Sequence, residues 1–396
     1  MRLINKTKYP TYKLGDVAEI LDSFRKPINS TERAKRIQGK SENELYPYYG
    51  ATGQVGLIDE YLIDGEYVLV GEDGAPFLEP FKNKSYIIKG KAWVNNHAHI
   101  ISGKKGISCN QYLNYFLNSF DYKDFVNGTT RLKLTQGNLV EIPIPLPPLP
   151  TQHQIVSRIE SLFAELDKAV QHLRTAQQQL KTYRQAVLKA AFEECDSYEK
   201  ITNCFDVTGG LTKNSQREKF PIKMPYLRVA NVYYNRLDLS EIKEIGVQES
   251  EIKDKLLKKD DLLFVEGNGS KEQIGRVAVW DGSIENCLHQ NHIIKGRPLG
   301  TMLSKFALYY FISDFGREQI LKVASSTSGL YTLSTEKVRN LKVPSCSPTE
   351  QQRIVKEIES RLSQATASET YIENALQKTE ALRQSILKKA FSGGLV

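Results

Sequence analysis

The feature that most constrains this chain is an internal repeat at one constant spacing of 199 positions. Leu134 meets Leu333, Pro145 meets Pro344 and Gln152 meets Gln351. Ile155-Val156 meets Ile354-Val355, and Ile159-Glu160-Ser161 meets Ile358-Glu359-Ser360. Arg184-Gln185, Leu188-Lys189 and Ala191-Phe192 meet Arg383-Gln384, Leu387-Lys388 and Ala390-Phe391, with no gap. The spacing is about half of the 396 residues. Such a repeat predicts a tandem duplication whose order of elements is shared by both halves. The larger segments echo each other more faintly. Val68-Leu69-Val70-Gly71-Glu72 resembles Leu262-Leu263-Phe264-Val265-Glu266, His99-Ile100-Ile101 resembles His292-Ile293-Ile294, and Tyr115-Phe116-Leu117 resembles Tyr310-Phe311-Ile312. The large units have diverged and the small ones have not, which suggests different recognition surfaces on a retained frame.

Each small unit opens on prolines, most densely in Pro143-Ile144-Pro145-Leu146-Pro147-Pro148-Leu149-Pro150. So few free N–H groups predict a stiff, extended lead-in with neither ladder nor helix interior. From Thr151 to Glu194 there is no proline or glycine, and Ile159, Leu166, Leu173, Leu180 and Val187 recur every seven residues. A second series, Ile155, Leu162, Ala169, Ala176, Tyr183 and Ala190, completes an a/d seam and predicts a coiled-coil helix of roughly 66 Å. The copy from Thr349 to Ser392 keeps Ile358, Ile372 and Ile386 in register, with Arg361, Ser368 and Thr379 also on its seam. Its natural partner is the first helix, in an antiparallel pair about a pseudo-twofold axis that sets two heads at opposite ends. A stalk that merely holds two domains apart would use the same residues.

The expected fold is therefore mixed α/β recognition domains in tandem plus two long helices. The boundaries are residues 1–143 for the first head, 144–195 for the proline lead-in and first spacer helix, 196–343 for the second head and 344–396 for the second spacer helix. Short apolar runs such as Tyr86-Ile87-Ile88 and Val277-Ala278-Val279-Trp280, bounded by Gly, Asp, Asn and Ser, read as strands. One short helix per head is expected around Gln111–Phe120 and Ser304–Ser313.

Composition narrows the function. The net charge of +8 suits a polyanionic partner. The polar opening and the lack of a long apolar run argue against secretion or a membrane span. Five scattered cysteines without a Cys-x-x-Cys pair fit a reducing, cytoplasmic setting. Catalytic motifs are missing. Gly39-Lys40-Ser41 lacks the first glycine of a phosphate loop because position 34 is Ala34, and Gly50-Ala51-Thr52-Gly53-Gln54-Val55-Gly56 has the wrong spacing for a dinucleotide turn. The only Pro-Pro, Pro147-Pro148, lies between leucines, unlike an amino-methyltransferase site. His97 and His99, with His289 and His292 in the second head, lack the further ligands that zinc needs. Glu241-Ile242-Lys243 and Glu251-Ile252-Lys253, with Asp238 upstream, have nuclease-like spacing but read first as solvated surface. No metal and no catalytic residue is assigned.

The polar-aromatic clusters carry the binding expectation. In the first head they offer Tyr49, Thr52, Asn96, His97, Thr130, Arg131 and Lys133. In the second they offer Arg228, Asn231, Asn268, Ser270, Lys271, Gln290, Asn291, Ser328 and Tyr331. Asn and Gln pair with adenine edges, Arg and Lys with guanine or phosphate, and Ser and Thr with either. Ordinary turns and satisfied core amides use the same residue types.

With these residues together, the whole chain resembles the specificity subunits of type I restriction-modification systems. The resemblance is carried by Ile142-Pro143-Ile144-Pro145-Leu146-Pro147-Pro148-Leu149, Gln152-His153-Gln154-Ile155-Val156 and Leu188-Lys189-Ala190-Ala191-Phe192, and by their second copies. Tyr48-Tyr49-Gly50-Ala51-Thr52-Gly53 and Glu66-Tyr67-Val68-Leu69-Val70-Gly71-Glu72-Asp73 look like a recurring class of target recognition domain. In the second copy Ser345-Cys346-Ser347 stands where prolines are usual. The resemblance implies a non-catalytic subunit whose two domains read a bipartite, asymmetric double-stranded DNA site. It implies two modification subunits that use S-adenosylmethionine to methylate adenine N6, and restriction subunits that use ATP and magnesium; this chain itself needs no cofactor. Two alternatives are a DNA-binding regulator acting alone and a carbohydrate- or protein-binding adaptor on a coiled stalk.

Overall fold

The computed structural model describes residues 7–268, 270, 273–327 and 330–396. Two compact units result. Unit 1 comprises Met1–Thr175 with Ile372–Val396, and unit 2 is the continuous span Ala176–Tyr371.

Unit 1 is built on six strands, β1 (Ala18–Ile20), β2 (Tyr46–Gly50), β3 (Gly53–Ile58), β4 (Ile63–Gly71), β5 (Ser85–Val94) and β6 (Ala98–Gly103). Their order is β1-β6-β4-β5-β2-β3. β4 runs antiparallel to both neighbours, with Val70 opposite Ser85 and Gly71 opposite Ala98, while β2 joins β5 in parallel, Tyr49 beside Val94. The apolar run Val68-Leu69-Val70 in β4 is explained by burial on both faces. Val68 and Val70 enter the core with the helix Asn110–Ser119, which contributes Tyr112, Leu113, Phe116 and Leu117, whereas Leu69 packs with Ile88, Val94 and Ile100 on the other side.

Unit 2 repeats this plan with shorter strands. β7 (Phe205–Gly209), β10 (Leu262–Val265), β11 (Val277–Val279) and β13 (Ile293–Pro298) form one sheet in the order β7-β13-β10-β11. β8 (Ile222–Leu227), β9 (Lys243–Val247) and β12 (Leu288–His289) form another in the order β9-β8-β12, with β8 and β12 parallel. Alternate residues of β10 again face two clusters. The expected helix appears as Ser304–Ile312, and a second one, Asp314–Val323, which the sequence reading did not anticipate, follows it directly.

The long helices span Leu149–Phe192 and Pro348–Ser392. Each contributes one end to each unit. In unit 1 the start of the first helix (Ile155, Val156, Ile159) packs with the end of the second (Leu387, Ala390, Phe391). In unit 2 the end of the first (Val187, Leu188, Phe192) packs with the start of the second (Ile354, Val355, Ile358). The repeated Phe does the same work twice. Phe391 meets Tyr112 and Phe116 edge-on at 5.3 and 5.2 Å, and Phe192 meets Phe306 and Tyr310 at 5.4 and 5.5 Å. Burying each ring contributes about 2 kcal/mol. The repeated Gln is also explained. Gln152, fully buried, accepts from the Cys109 N–H at 3.1 Å and donates to the carbonyls of Ile107 (2.8 Å) and Pro147 (2.9 Å). Gln351 does likewise with Leu303 N–H (2.8 Å) and the carbonyls of Thr301 (3.3 Å) and Cys346 (3.0 Å). Each amide ties the start of a long helix to its unit.

Two expectations need correction. The series beginning at Ile155 completes the seam only in part: Ile155 is buried and Leu162 and Ala176 are half-buried, but Ala169, Tyr183 and Ala190 are exposed. The stripe without an exposed gap is Ile159, Leu166, Leu173, Leu180 and Val187 with Phe163, Val170, Gln177, Arg184 and Ala191. Polar Gln177 and Arg184 mask that series in the sequence; within unit 2 Arg184 donates to Thr366 and Glu369, each at 2.9 Å. On the second helix Ile358 and Ile372 are buried and Ile386 half-buried, and the alternate positions are Leu362, Glu369, Leu376 and Arg383. Arg361 and Ser368 point to solvent, while Thr379 is buried as expected. Within unit 1 Arg383 pairs with Asp167 and lies 4.8 Å from the Phe163 ring.

The proline lead-in does form a ladder. Pro143–Pro145 pairs with Thr11–Lys13, and Lys342–Pro344 pairs with Tyr198–Lys200. Leu146 N–H donates to the Pro10 carbonyl at 2.8 Å, so even-numbered residues face the partner strand. Pro143 and Pro145 therefore lack donors only on the unpaired side.

Candidate nucleic-acid interface

A chain of backbone hydrogen bonds gathers the polar clusters of unit 1 around the end of β4. Asn95 N–H donates to the Tyr49 carbonyl (3.1 Å), Glu72 N–H to His97 (2.8 Å), Leu134 N–H to Glu72 (2.7 Å) and Gly74 N–H to Leu132 (3.3 Å). The 127–133 loop closes through mutual Asn127 and Lys133 bonds of 2.9 and 2.8 Å. Gly128 is required there. Its φ is +104°, and a Cβ would stand 2.5 Å from the Arg131 carbonyl oxygen.

Two adjacent carboxylates organise the side chains. Asp73 Oδ1 lies 2.6 Å from His97 Nδ1 and 2.9 Å from an Arg131 terminal nitrogen. Glu72 receives Arg25 and, at 2.9 Å, Lys133. Partial burial pushes the Glu72 carboxyl up, but hydrogen bonds from Arg25 and Lys133 outweigh it, so the group lies below the usual glutamate value. Arg25 also pairs with Asp22 at 2.9 Å, and Asp22 lies 2.6 Å from Nδ1 of buried His99, whose Nε2 reaches the Leu134 carbonyl at 2.8 Å. His97 and His99 thus share a strand end but face different acids, and among the described residues no group of three or more metal-ligating side chains gathers.

Of the expected residues, Thr52, Thr130 and Arg131 line one open groove of about 440 Å³. His97, Arg131 and Lys133 meet at the Glu72-Asp73 pair. Asn96 is exposed beside them, its carbonyl 3.5 Å from Arg25. Tyr49 is half-buried against Tyr86.

Unit 2 reproduces the backbone frame. Gln290 N–H donates to the Leu227 carbonyl (2.9 Å), Glu266 N–H to His292 (2.9 Å) and Leu333 N–H to Glu266 (2.6 Å). Gln290-Asn291-His292 therefore corresponds to Asn95-Asn96-His97, and Glu266 to Glu72. The charges on the frame differ. His292 Nδ1 meets Glu266 at 2.9 Å, and Gly267 follows where Asp73 follows Glu72. Arg228 follows β8 and pairs with Glu241 at 3.2 Å. That pairing, aided by Lys243, holds the Glu241 carboxyl low. Asn231 is buried, accepting from Arg228 N–H (2.8 Å) and donating to the Asp238 (2.8 Å) and Glu241 (3.0 Å) carbonyls, so its amide holds this loop together. Glu251 receives two nitrogens of the mostly buried Arg217 at 2.9 and 3.1 Å, so it is not the solvated residue expected from sequence. Gln290 and Asn291 are half-buried. Tyr331 packs at the edge of the unit 2 core, opposite Asn268 in a short ladder. The Ser270 carbonyl accepts from Gln273 and Ile274 N–H. Lys271 and Ser328 lie outside the described residues.

Sequence reasoning did not single out Asp22, Arg25, Glu72, Asp73 or Glu266. The available signal was the echo of Val68–Glu72 in Leu262–Glu266, which ends on a carboxylate in both copies.

Among the described residues no helix is long and apolar enough to cross a membrane. The family model for the type I restriction modification DNA specificity domain matches twice, over residues 6–173 and 198–378. A putative type I restriction enzyme specificity subunit from Haemophilus influenzae is 27% identical over 368 residues, 89% of this chain and 88% of the relative. The EcoKI specificity subunit of Escherichia coli K12 is 30% identical over 272 residues, 64% of this chain and 58% of that one. Among solved structures, a chain from work on complex assembly and conformational transition of the type I R-M system superposes with a TM-score of 0.70 at 15% identity, covering 98% of both chains. The HsdS subunit of Thermoanaerobacter tengcongensis superposes with a TM-score of 0.58 at 16% identity, over 98% of this chain and 97% of that one. Two matched domains on one duplicated frame lead to a single assignment: the chain belongs to the type I restriction-modification DNA specificity family and is a specificity subunit.

Proposed function

We propose that the chain reads a bipartite, asymmetric site in double-stranded DNA and directs adenine-N6 methylation or restriction by partner subunits in the cytoplasm, without a catalytic centre of its own. The observation that carries this reading is one hydrogen-bonded frame bearing two different charge sets: Glu72-Asp73 with Arg25, His97, Arg131 and Lys133 in unit 1, and Glu266 with His292 in unit 2. Retaining a frame while changing its side chains is what two half-sites of different sequence require. In this reading residues 1–143 and 196–343 are the target recognition domains, and 144–195 and 344–396 are spacer helices that fix the distance between half-sites. Thr52, Asn96, His97, Thr130, Arg131 and Lys133 contact DNA from the first domain. Arg228, Gln290 and Asn291 do so from the second, together with Asn268, Ser270, Lys271, Ser328 and Tyr331. Two modification subunits supply S-adenosylmethionine chemistry, and restriction subunits supply the ATP- and magnesium-dependent steps.

The test is long-read mapping of N6-methyladenine in a methylation-free host that expresses this chain with its modification subunit, beside hosts expressing each alone. Methylation of one bipartite motif only on co-expression is expected. A folded complex that leaves the host unmethylated, with an active partner, would overturn the reading.

A further inference from the structure

The carboxylates at the end of β4 and β10 oppose the charge that a DNA-binding surface needs, yet they sit within it. Asp73 is only 21% exposed, while the two side chains it holds, His97 and Arg131, are 40% and 62% exposed. Glu72 is likewise more buried than Lys133. The acids therefore lie beneath their partners, and each fixes the direction in which the side chain it holds faces outward. Asp73 takes one terminal nitrogen of Arg131, which leaves the other guanidinium N–H groups directed away from the carboxylate. A guanidinium oriented in this way meets the two acceptors of a guanine edge in one geometry, whereas a freely rotating one satisfies any phosphate equally well. The buried charge also disfavours a phosphate brought against the same cations without the correct base.

We propose that Asp73 in unit 1 and Glu266 in unit 2 are specificity-determining positioning residues: each orients the side chains it holds in its own half-site, Arg131 and His97 on Asp73 and His292 on Glu266, and suppresses binding to non-cognate DNA. This rests on the DNA-reading function proposed above. It goes beyond that function by assigning discrimination to acids that touch no base. In unit 2 the carboxylate sits one position earlier: Glu266 stands at the frame position of Glu72, with the same two backbone bonds, and makes to exposed His292 the contact that Asp73 makes to His97 in unit 1.

The test compares wild type, Asp73→Asn and Glu266→Gln, each co-expressed with the modification subunit, by methylome mapping. Each purified complex is then titrated with a duplex lacking the motif. Methylation of the bipartite motif by wild type establishes the underlying function; its absence would overturn that function rather than this inference. Given an active wild type, Asp73→Asn should render one half-site degenerate and leave the other intact, and Glu266→Gln should do the reverse. Both should bind the motif-free duplex several-fold more tightly, with a salt slope steeper by about one. A merely structural acid would weaken all binding together. Unchanged motifs, degeneracy in both half-sites from one substitution, or weaker binding to the motif-free duplex would overturn the proposal. If a variant loses methylation altogether, the titration decides: tighter motif-free binding supports the proposal, and unchanged or weaker binding refutes it.

Discussion

Replacing Gln152 by Ala should destabilise unit 1 far more than its place on the first turn of a long, mostly exposed helix suggests. The side chain is fully buried and makes three hydrogen bonds to backbone groups: it accepts from Cys109 N–H and donates to the Ile107 and Pro147 carbonyls. Each such bond contributes about 0.5 to 1.5 kcal/mol net, and an N–H left buried without a partner costs at least as much. Water entering the vacated space would recover part of the loss, so the expected total is about 2 to 4 kcal/mol. For a unit of this size, that lowers the melting temperature by roughly 5 to 12 °C. Differential scanning fluorimetry on the full chain measures the shift, and hydrogen exchange at the Cys109 amide reports the lost acceptor directly. His153→Ala, at the exposed neighbouring position, is the control and should change neither. A Gln152→Ala melting temperature within 1 °C of wild type, with Cys109 exchange unaltered, would refute the idea that the repeated glutamine is a structural tie.

Arg131→Ala should weaken binding to the methylated motif and reduce the salt slope by about one, as should Arg228→Ala in the other unit; unchanged affinity at moderate salt would reject the DNA-contacting role of either. Leu173→Asp places a charge on the half-buried helix stripe and should lower the melting temperature by several degrees, so an unshifted melt would remove Leu173 from the seam. Burial pushes the His289 imidazole down to about 3, helped by nearby Lys295. The folded state therefore stays neutral while the unfolded chain takes up a proton below about pH 6.5. Stability is thus present above that value and is lost as pH falls toward 3, with about 2 kcal/mol gone by pH 5 from this group. His289→Asn should flatten that part of the pH profile in urea unfolding, and an unchanged slope would contradict the assignment.

The long helices were legible because heptad spacing survives over many turns, and because proline and glycine are absent from Thr151 to Glu194. Their stripe was only half legible. Gln177 and Arg184 do not look like seam residues, and a straight helix of 3.6 residues per turn drifts against any strict seven-residue pattern. The strand Val68–Val70 and its echo were visible because burial on both faces leaves a continuous apolar run. The organisation of the polar clusters was not. His97, Arg131 and Lys133 could be chosen by residue type, but Asp73 and Glu72 acquire their role only when the 127–133 loop folds back across the end of β4, a contact between positions some sixty residues apart. Asn231 shows the converse: its type suggested base reading, and three hydrogen bonds to its own loop hold it inside.

The division of the long helices between units sets an order of assembly on the ribosome. Unit 2 is a continuous span, so every residue it needs has been synthesised by Tyr371. Unit 1 waits for Leu387, Ala390 and Phe391 to cover Tyr112 and Phe116, although its strands are made first. Until then its helix Asn110–Ser119 presents an uncovered aromatic face, and the nascent chain passes through a stage in which the later half is complete and the earlier half is open. Premature termination anywhere between Tyr371 and Leu387 would therefore injure the N-terminal half of the protein and spare the half nearer the break.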